Sequence, residues 1–91
     1  MRTRYSVNLN KETPIFRMDI ESFKFLDLKM IANTSNYVIV GICDGKEGYG
    51  QFSTVNRNKV AFPVHMFDTI EITASPLFAE DDYVSFDLVG Y

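Results

Sequence analysis

The sequence contains three sets of side chains whose types could do chemistry, and the first is its only cysteine and its only histidine. Cys43 and His65 could act as a nucleophile and its general base if folding placed them within hydrogen-bond distance. Cys43 ends a nearly continuous apolar run, however, and a buried free cysteine usually behaves as a small apolar side chain. His65, between Val64 and Met66, is typical of a structural histidine. We therefore predict that the chain is not an enzyme.

Carboxylates in the last third of the sequence form the second set: Glu71, Glu80, Asp81, Asp82 and Asp87. Such groups could serve acid–base catalysis or bind Ca²⁺ or Mg²⁺ through their oxygens. The sequence has no Asp-x-Asp-x-Asp-Gly loop, and adjacent acidic residues before a strand are commonly solvated. The single cysteine excludes an intramolecular disulfide and a cysteine zinc cage. We expect no metal ion and no cofactor.

A glycine-rich segment, Asp44-Gly45-Lys46-Glu47-Gly48-Tyr49-Gly50, is the third set. A dinucleotide-binding loop needs Gly-x-Gly-x-x-Gly between a strand and a helix, whereas here the spacing differs and a strand is expected to follow. A P-loop needs Gly-Lys followed by Ser or Thr, which this segment lacks. The segment therefore predicts a tight turn with a bulge.

Extended to Asn56, the same segment resembles the first sequence motif of the Sm-like RNA-binding proteins. The shared features are a strand, an Asp-Gly-Lys turn, a later glycine, a hydrophobic residue and an Asn, over about a seventh of the chain. In that family a single helix precedes the strands. The resemblance implies an oligomeric nucleic-acid-binding domain, which we keep as an alternative.

Base stacking on a sheet is a second route to nucleic-acid binding, because Phe23 and Phe25 alternate with Lys24 and lie near Lys29. An aromatic core accounts for the two phenylalanines equally well. The net charge of −3 disfavours phosphate binding, so a nucleic acid is not the expected partner.

The distribution of charge along the chain is more informative than its sum. All nine Lys and Arg residues lie at or before Lys59, whereas residues 60–91 contain six of the 12 acidic residues and no basic one. Two explanations are open. Strands from the basic and the acidic parts could pair and neutralise each other, or an acidic surface could bind a basic partner.

The elements that must position these groups are strands. Val, Ile and Thr number 21 and Phe and Tyr 13, against only nine Leu and Ala, and branched and aromatic side chains favour sheets. We predict one all-β domain over residues 1–91, a small barrel or compact sandwich of about six or seven antiparallel strands. Short helical turns near 63–68 and 76–80 are compatible with the sequence.

Alternating polar and apolar residues mark the strands 69–73 and 83–88 most clearly. We expect them to pair as an antiparallel hairpin with Ile70 opposite Phe86, which makes two of the carboxylates diagonal neighbours on its exposed face. Further strands are expected at 37–43, 49–55 and 59–62.

Residues 15–31 are ambiguous, because the alternation changes phase within them. One helix, two strands, or one strand with a bulge near Ser22 or Phe25 would each fit part of the pattern. We prefer the strand interpretations, since the apolar residues would surround most of a helix.

We predict a non-enzymatic protein–protein binding module. By analogy with small acidic viral proteins, it would be an inhibitor or accessory protein that acts on a larger host protein with a basic surface. The first predicted surface is the acidic C-terminal hairpin with its carboxylates. The second is a turn region in which Tyr and Arg are typical interface anchors. Its residues are Lys46, Tyr49, Arg57 and Asn58.

A structural subunit of a homo-oligomer is a further alternative, because open sheets leave edges that a second copy could extend. No stretch approaches the roughly 18 to 20 apolar residues of a membrane-spanning helix. The basic N-terminus leads into polar residues, which is not typical of a signal peptide. We therefore expect a cytoplasmic protein without membrane contact.

Overall fold

The computed structural model describes residues 2–34, 37–44, 47–53, 59–64, 67–75 and 78–91, apart from the side chains of 43, 44, 47–50 and 52. The described residues form eight β-strands and no helix. The strands are β1 (Thr3–Asn10), β2 (Ile15–Asp19), β3 (Phe25–Asn33), β4 (Tyr37–Asp44), β5 (Glu47–Ser53), β6 (Lys59–Pro63), β7 (Thr69–Ser75) and β8 (Tyr83–Gly90).

The strands form two antiparallel sheets that pack as a sandwich. Sheet 1 has the order β1-β8-β3-β6 and sheet 2 the order β2-β7-β4-β5. Four of the pairs are nested along the chain, since β1 pairs with β8, β2 with β7, β3 with β6 and β4 with β5. The chain is thus one long hairpin rolled up so that alternate pairs fall in opposite sheets, which is the jelly-roll arrangement. The all-β prediction is confirmed, as a sandwich and not a closed barrel.

Alternating side chains supply the core between the sheets. In β8, Val84, Phe86 and Leu88 point inward, and in β7 the inward residues are Ile70 and Ile72; all five are at most 1% exposed. Burying each such side chain stabilises the fold by roughly 1.5–3 kcal/mol. The Phe86 ring also meets Phe16 of β2 edge to face, with centroids 6.2 Å apart.

The predicted hairpin between β7 and β8 is wrong. The two strands lie in different sheets, where β7 pairs with β2 and β4 and β8 pairs with β1 and β3. Ile70 and Phe86 therefore contribute to the same core from opposite sides instead of lying side by side. Alternation determines which face of a strand is buried but not which strand lies beside it, and both arrangements bury these residues.

Residues 15–31 contain β2 and most of β3, which confirms the interpretation with two strands. The alternative of one helix is wrong. A register shift does occur, but it lies between Met30 and Ala32 of β3 and not near Ser22 or Phe25. The strand count exceeds the predicted six or seven because β1 was not anticipated. Its signal in the sequence is the alternation of Tyr5, Val7 and Leu9 with polar residues.

The remaining predicted strands are found with small shifts, as β4, β5 and β6. The described parts of 63–68 and 76–80 contain no helical turn. The Phe67 N–H donates to the Val64 carbonyl at 3.0 Å. At 79–82 the Asp82 N–H donates to the Ala79 carbonyl at 3.1 Å, and the Asp82 carboxylate accepts from the Ala79 N–H at 3.2 Å. This second segment is a β-turn closed by its own side chain.

The helix that precedes the strands in the Sm-like proteins is also not found, because β1 to β3 occupy the described residues before Tyr37. The resemblance is limited to the hairpin of β4 and β5, whose turn residues Gly45 and Lys46 lie outside the described residues.

Candidate functional site

The predicted acidic surface is divided by the fold. Glu71 projects from the outer face of sheet 2 and Asp87 from the outer face of sheet 1, so they are not neighbours. Each forms an ion pair with an arginine on the adjacent strand: Arg17 of β2 with Glu71, and Arg4 of β1 with Asp87. For these two carboxylates the structure shows pairing between the basic and acidic parts of the chain.

Asp87 is the more strongly held of the two. It is 7% exposed, and its carboxylate also accepts a hydrogen bond from the Ser6 hydroxyl at 3.0 Å. The hydrogen bond from the Arg4 guanidinium, followed by that from Ser6, lowers the pKa of Asp87 below its usual value, and burial only partly opposes this. A carboxylate whose oxygens are already bonded is a poor anchor for a partner.

Glu80, Asp81 and Asp82 remain as the exposed part of the predicted acidic surface. They border an open groove of about 640 Å³ whose other lining residues are Asn8, Asn10, Lys11, Glu12 and Tyr83, so one basic side chain lies among the acidic ones. Asp82 is committed to the β-turn, which leaves Glu80 and Asp81 as its freely projecting acids. Within the described ranges no group of three or more His, Cys, Asp and Glu side chains is arranged to hold a metal ion.

The second predicted surface lies outside the part of the chain that the structure describes, except for the backbone of Tyr49. Lys46, Arg57 and Asn58 lie outside the described residues, as does the side chain of Tyr49. The same holds for the His65 residue and the Cys43 side chain.

The outer face of sheet 1 is a surface that sequence reasoning missed. Of the described residues, five large hydrophobic side chains are exposed, and four of them lie on this face: Phe25 (38%), Ile31 (55%), Tyr83 (39%) and Tyr91 (41%). The fifth, Ile15, belongs to sheet 2. Phe25 and Tyr91 lie at one end of this face, Tyr83 lies at the other, and Ile31 lies beside Ser85 and Asp87 between them. Exposed apolar side chains that share one face mark it as a candidate binding surface.

One end of this face carries a cluster of aromatic rings. The rings of Phe25 and Tyr91 lie 6.2 Å apart, and the Arg2 guanidinium lies 5.8 Å from the centre of the Tyr91 ring. Backbone bonds hold the cluster in place, since the Tyr91 N–H donates to the Phe25 carbonyl at 3.0 Å.

On the core side of the same end, the Phe23 ring lies directly beneath Gly90. A Cβ at Gly90 would lie 2.5 Å from that ring, so the position has space only for glycine unless the ring moves. Phe23 also packs edge to face against Tyr5, with centroids 6.4 Å apart. The exposed cluster thus rests on a packed layer.

Two lysines occupy the middle of the same face. Lys29 of β3 lies directly opposite Lys59 of β6, and on its other side it lies opposite Asp87 of β8. The Asp87 carboxylate is bonded to Arg4 and Ser6, and in the described part of the chain neither lysine forms an ion pair. The charge of Lys29 nevertheless contributes to the lowered pKa of Asp87, after the larger effects of Arg4 and Ser6. Like charges directly opposite each other destabilise a sheet, so an anionic partner here would relieve that cost.

Part of this surface has a sequence signal. Phe25 and Lys29 share the odd-numbered, outward phase of β3, and their combination suggested base stacking from the sequence. Tyr91 and Arg2 could not be assigned to the same place without knowing that β1 pairs with β8. Ile31 is exposed at the register shift of β3, which the sequence placed elsewhere.

In the described residues, no helix has the length and apolar character that would be needed to cross a membrane.

The comparisons with known proteins identify the fold and no family. No protein-family model matches the chain, and no curated protein matches it. Among solved structures, the SPBc2 prophage-derived protein YomS is similar, with a TM-score of 0.65 and 15% sequence identity over 100% of this chain and 96% of that one. The prophage protein therefore has the same overall fold.

A second similar structure is described as "Bacillus endospore appendages form a novel family of disulfide-linked pili". It has a TM-score of 0.52 and 12% identity, over 98% of this chain and 83% of that one. At these identities both likenesses show a shared fold, and they leave function to be argued from this chain's own surface.

Proposed function

We propose that the chain is a non-enzymatic protein-binding module whose docking surface is the outer face of sheet 1. The observation that carries this proposal is that Phe25, Ile31, Tyr83 and Tyr91, four of the five exposed large hydrophobic side chains in the described residues, lie on that face. Exposed apolar side chains that share one face of a sheet favour an interaction surface there.

The composition of the face supports a protein partner. Aromatic residues and arginine are enriched in the centres of protein interfaces, and Phe25, Tyr91 and Arg2 already contact one another. Rings that are packed before binding lose little conformational freedom when a partner arrives. The face therefore has anchor residues that are partly organised in advance.

The β-turn at 79–82, which carries Glu80 and Asp81, has a different part in this proposal. Glu80 and Asp81 lie at one end of the same face, beside Tyr83, where they would attract a basic patch and speed encounter. An inhibitor that acts on a basic host protein would use this end, and Glu71 and Asp87 would not contribute because arginines already neutralise them.

A test is the capture of partners by the immobilised chain from a lysate of its source, with two variants. The double variant Phe25→Ser/Ile31→Ser removes apolar area from the proposed surface. Ile15→Ser, at a residue that is 56% exposed in sheet 2, is the matched control. We expect wild type and control to retain the same bound proteins and the double variant to lose at least about tenfold, or about 1.4 kcal/mol of binding free energy.

Thermal melts first establish that both variants are folded, as expected for substitutions at exposed positions. Equal capture by all three proteins would show that the outer face of sheet 1 is not the docking surface.

A structural subunit is the second candidate function, and one observation favours it. The chain shares its fold with a structure described as belonging to disulfide-linked pili. Cys43 is the only cysteine in these 91 residues, so these residues could supply one intermolecular disulfide. A subunit inside a disulfide-linked row would need two, one to each neighbour. Assembly through this chain would therefore depend on non-covalent surfaces such as the outer face of sheet 1.

A further inference from the structure

The four edge strands of the two sheets differ in how well they are protected against pairing with another chain. β2 and β6 have only five residues each, and β6 carries Lys59 and ends at Pro63, which has no N–H to donate. β5 has a register shift against β4. β1 has eight residues without a proline, a register shift or an inward-pointing charge. It is therefore the edge to which a further strand could add most easily.

Two hydrogen bonds show which backbone groups of β1 face away from β8. The Asn10 N–H donates to the Thr13 carbonyl at 3.2 Å, and the Asn8 carbonyl accepts from the Thr13 hydroxyl at 3.4 Å. Opposite Asn10, the N–H and the carbonyl of Tyr83 both bond to Thr34 of the neighbouring segment and so point away from β1. Because these directions alternate along a strand, the even-numbered residues of β1 direct their backbone groups to the open edge.

The open edge therefore displays the N–H and C=O groups of Arg4, Ser6 and Asn8. These three residues are exposed, and no described strand pairs with them on this side. Between them, Tyr5 and Val7 point inward and are only partly buried at the rim of the core. An additional strand would bond the three open residues and cover both rim side chains.

The open residues of β1 match themselves in the reverse direction. When a second β1 lies antiparallel with the two copies of Ser6 opposite each other, Arg4 of each copy lies opposite Asn8 of the other. Each opposed pair exchanges two hydrogen bonds, roughly six in all, so every open residue is used. No like charges are directly opposite. Tyr5 of each copy lies opposite Val7 of the other, which is a favourable aromatic and branched pair.

Other registers lose part of this match. A shift that places Val7 on the symmetry axis pairs Arg4 with Asn10, whose N–H is already bonded to Thr13. A shift that places Tyr5 on the axis brings the two Arg4 side chains to diagonal positions, where like charges repel. The Ser6 register, in which Ser6 lies on the axis, is therefore favoured.

We propose that two copies of this chain dimerise by pairing their β1 strands in the Ser6 register, about a two-fold axis perpendicular to sheet 1. The two four-stranded sheets then join into one, in which β6-β3-β8-β1 of one copy continues into β1-β8-β3-β6 of the other. This axis keeps both outer faces of sheet 1 on the same side, so the dimer presents two of the proposed docking surfaces side by side. The pairing uses the edge of the sheet and not its face, so it does not depend on the proposed function.

The small area of an edge contact predicts a weak dimer. The paired segment of five residues is about 17 Å long, and the two layers of a sandwich with their side chains are about 20 Å thick. The contact then covers about 340 Å² per copy and about 700 Å² in total, below the roughly 1,200 Å² at which standard interfaces begin. We therefore expect a dimer that forms at high protein concentration and dissociates on dilution.

Sedimentation velocity from about 20 µM to about 500 µM protein tests the pairing. Wild type should shift towards twice the monomer mass. Asn8→Pro should raise the Kd at least about tenfold, because proline removes an N–H that bonds Arg4 of the other copy and that the monomer leaves open. Asn8→Ala is the matched control: it also loses the side-chain bond to Ser85 but keeps the N–H, and it should dimerise like wild type.

Single cysteines in a Cys43→Ser background test the register. In the proposed dimer the two Ser6 Cα atoms lie about 5.5 Å apart, which is within the range of a disulfide. The two Asn8 positions lie about 14 Å apart. Ser6→Cys should therefore oxidise to a covalent dimer at least about tenfold faster than Asn8→Cys, an exposed residue of the same strand. Non-reducing gels measure the rates, and thermal melts establish that each variant is folded.

Three outcomes would overturn the proposal: a monomer at every concentration, a folded Asn8→Pro that dimerises like wild type, or faster linkage at Asn8 than at Ser6. A monomer that loses captured proteins in Asn8→Pro but not in Asn8→Ala would assign the edge to a strand of another protein instead. A wild-type dimer with unchanged capture by Phe25→Ser/Ile31→Ser would support the β1 pairing and overturn the proposed docking surface.

Discussion

Asp87 lies on the outer face of sheet 1 and is nevertheless buried. Its outward position follows from the alternation of β8, but Arg4 and Ser6 on the adjacent strand β1 cover its carboxylate. Without the pairing of β1 with β8, this residue is one acidic side chain among several in the sequence. With that pairing, hydrogen bonds from Arg4 and then Ser6 favour the ionised carboxylate and lower the pKa of Asp87.

The lowered pKa predicts how stability depends on pH. The folded protein binds the Asp87 proton less tightly than the unfolded chain, so the stabilising contribution is complete above the ordinary value of 3.8 and is lost as pH falls below it. Asp87→Asn should therefore lower Tm at neutral pH. The difference between wild type and variant should shrink as pH falls from 3.8 through the lowered pKa.

Thermal melts followed by circular dichroism from about pH 7 to about pH 2 measure this difference. Arg4→Gln should reduce the same acid-dependent loss, because its guanidinium is the largest cause of the lowered pKa. Arg17→Gln, which removes an equal charge from sheet 2, should leave the Asp87 dependence in place. A Tm difference between wild type and Asp87→Asn that persists unchanged at low pH would contradict the assignment.

At the scale of strands, the sequence predicted position better than partnership. Strands β4, β6, β7 and β8 lie where alternation or turn residues indicated, because those signals are local. The partner of each strand is a non-local property. For β7 and β8, pairing in a hairpin and packing in opposite sheets of a sandwich bury Ile70 and Phe86 equally well. The local pattern of residues does not distinguish these two arrangements.

The candidate site depends on these partnerships. Phe25 was visible in the sequence as an aromatic residue near lysines, but its contact with Tyr91 exists only because β3 and β8 are neighbours. The sequence also indicated Glu71 and Asp87 as acidic candidates. They lie on opposite outer faces because β7 and β8 belong to different sheets. Sequence patterns therefore identified residue types and their phase, and the topology determined which of them meet.

Engineered disulfides test the strand partners directly. Asn8 of β1 and Ser85 of β8 are directly opposite, and the Ser85 hydroxyl donates to the Asn8 amide oxygen at 3.1 Å. Their Cβ atoms are then about 4.5–5.5 Å apart, close to the 3.5–4.5 Å of a disulfide. In a Cys43→Ser background, Asn8→Cys/Ser85→Cys should oxidise readily and raise stability by about 2–4 kcal/mol.

The matched control joins the residues that the predicted hairpin would have made neighbours. Glu71→Cys/Asp87→Cys should remain reduced within a monomer, because the two positions project from opposite outer faces. Free-thiol titration and mass spectrometry without reductant measure both variants. Oxidation of the control pair within one chain, with the first pair still reduced, would restore the hairpin and contradict the sandwich.

The whole molecule is a set of nested pairs. The innermost pair, β4 with β5, joins strands that are adjacent in sequence, while the outermost pair, β1 with β8, brings together the two ends of the described chain. Closing a long loop is entropically costly before any contact rewards it. If inner pairs form first, each later pair closes a loop that the earlier pairs have already shortened, so pairing should proceed from the inside outward.

This order predicts how folding rates respond to mutation. Val40 in β4 is fully buried and Leu9 in β1 is 2% exposed. Val40→Ala should cost about 1.5 kcal/mol or more, and Leu9→Ala about 2–5 kcal/mol. We expect Val40→Ala to slow folding, with a φ-value above about 0.5, because β4 belongs to the early structure. Leu9→Ala should mainly accelerate unfolding, with a φ-value below about 0.3.

Stopped-flow chevron plots of both variants and of wild type measure these values, and both stability losses exceed the roughly 0.6 kcal/mol below which φ is unreliable. Wild-type folding in milliseconds to seconds is expected, since most strand pairs are non-local. A high φ-value at Leu9 with a low one at Val40 would mean that the ends of the chain meet first. The nested pairs would then describe the finished fold without describing how it forms, because β1 and β8 would have to close the largest loop before β4 and β5 closed the smallest.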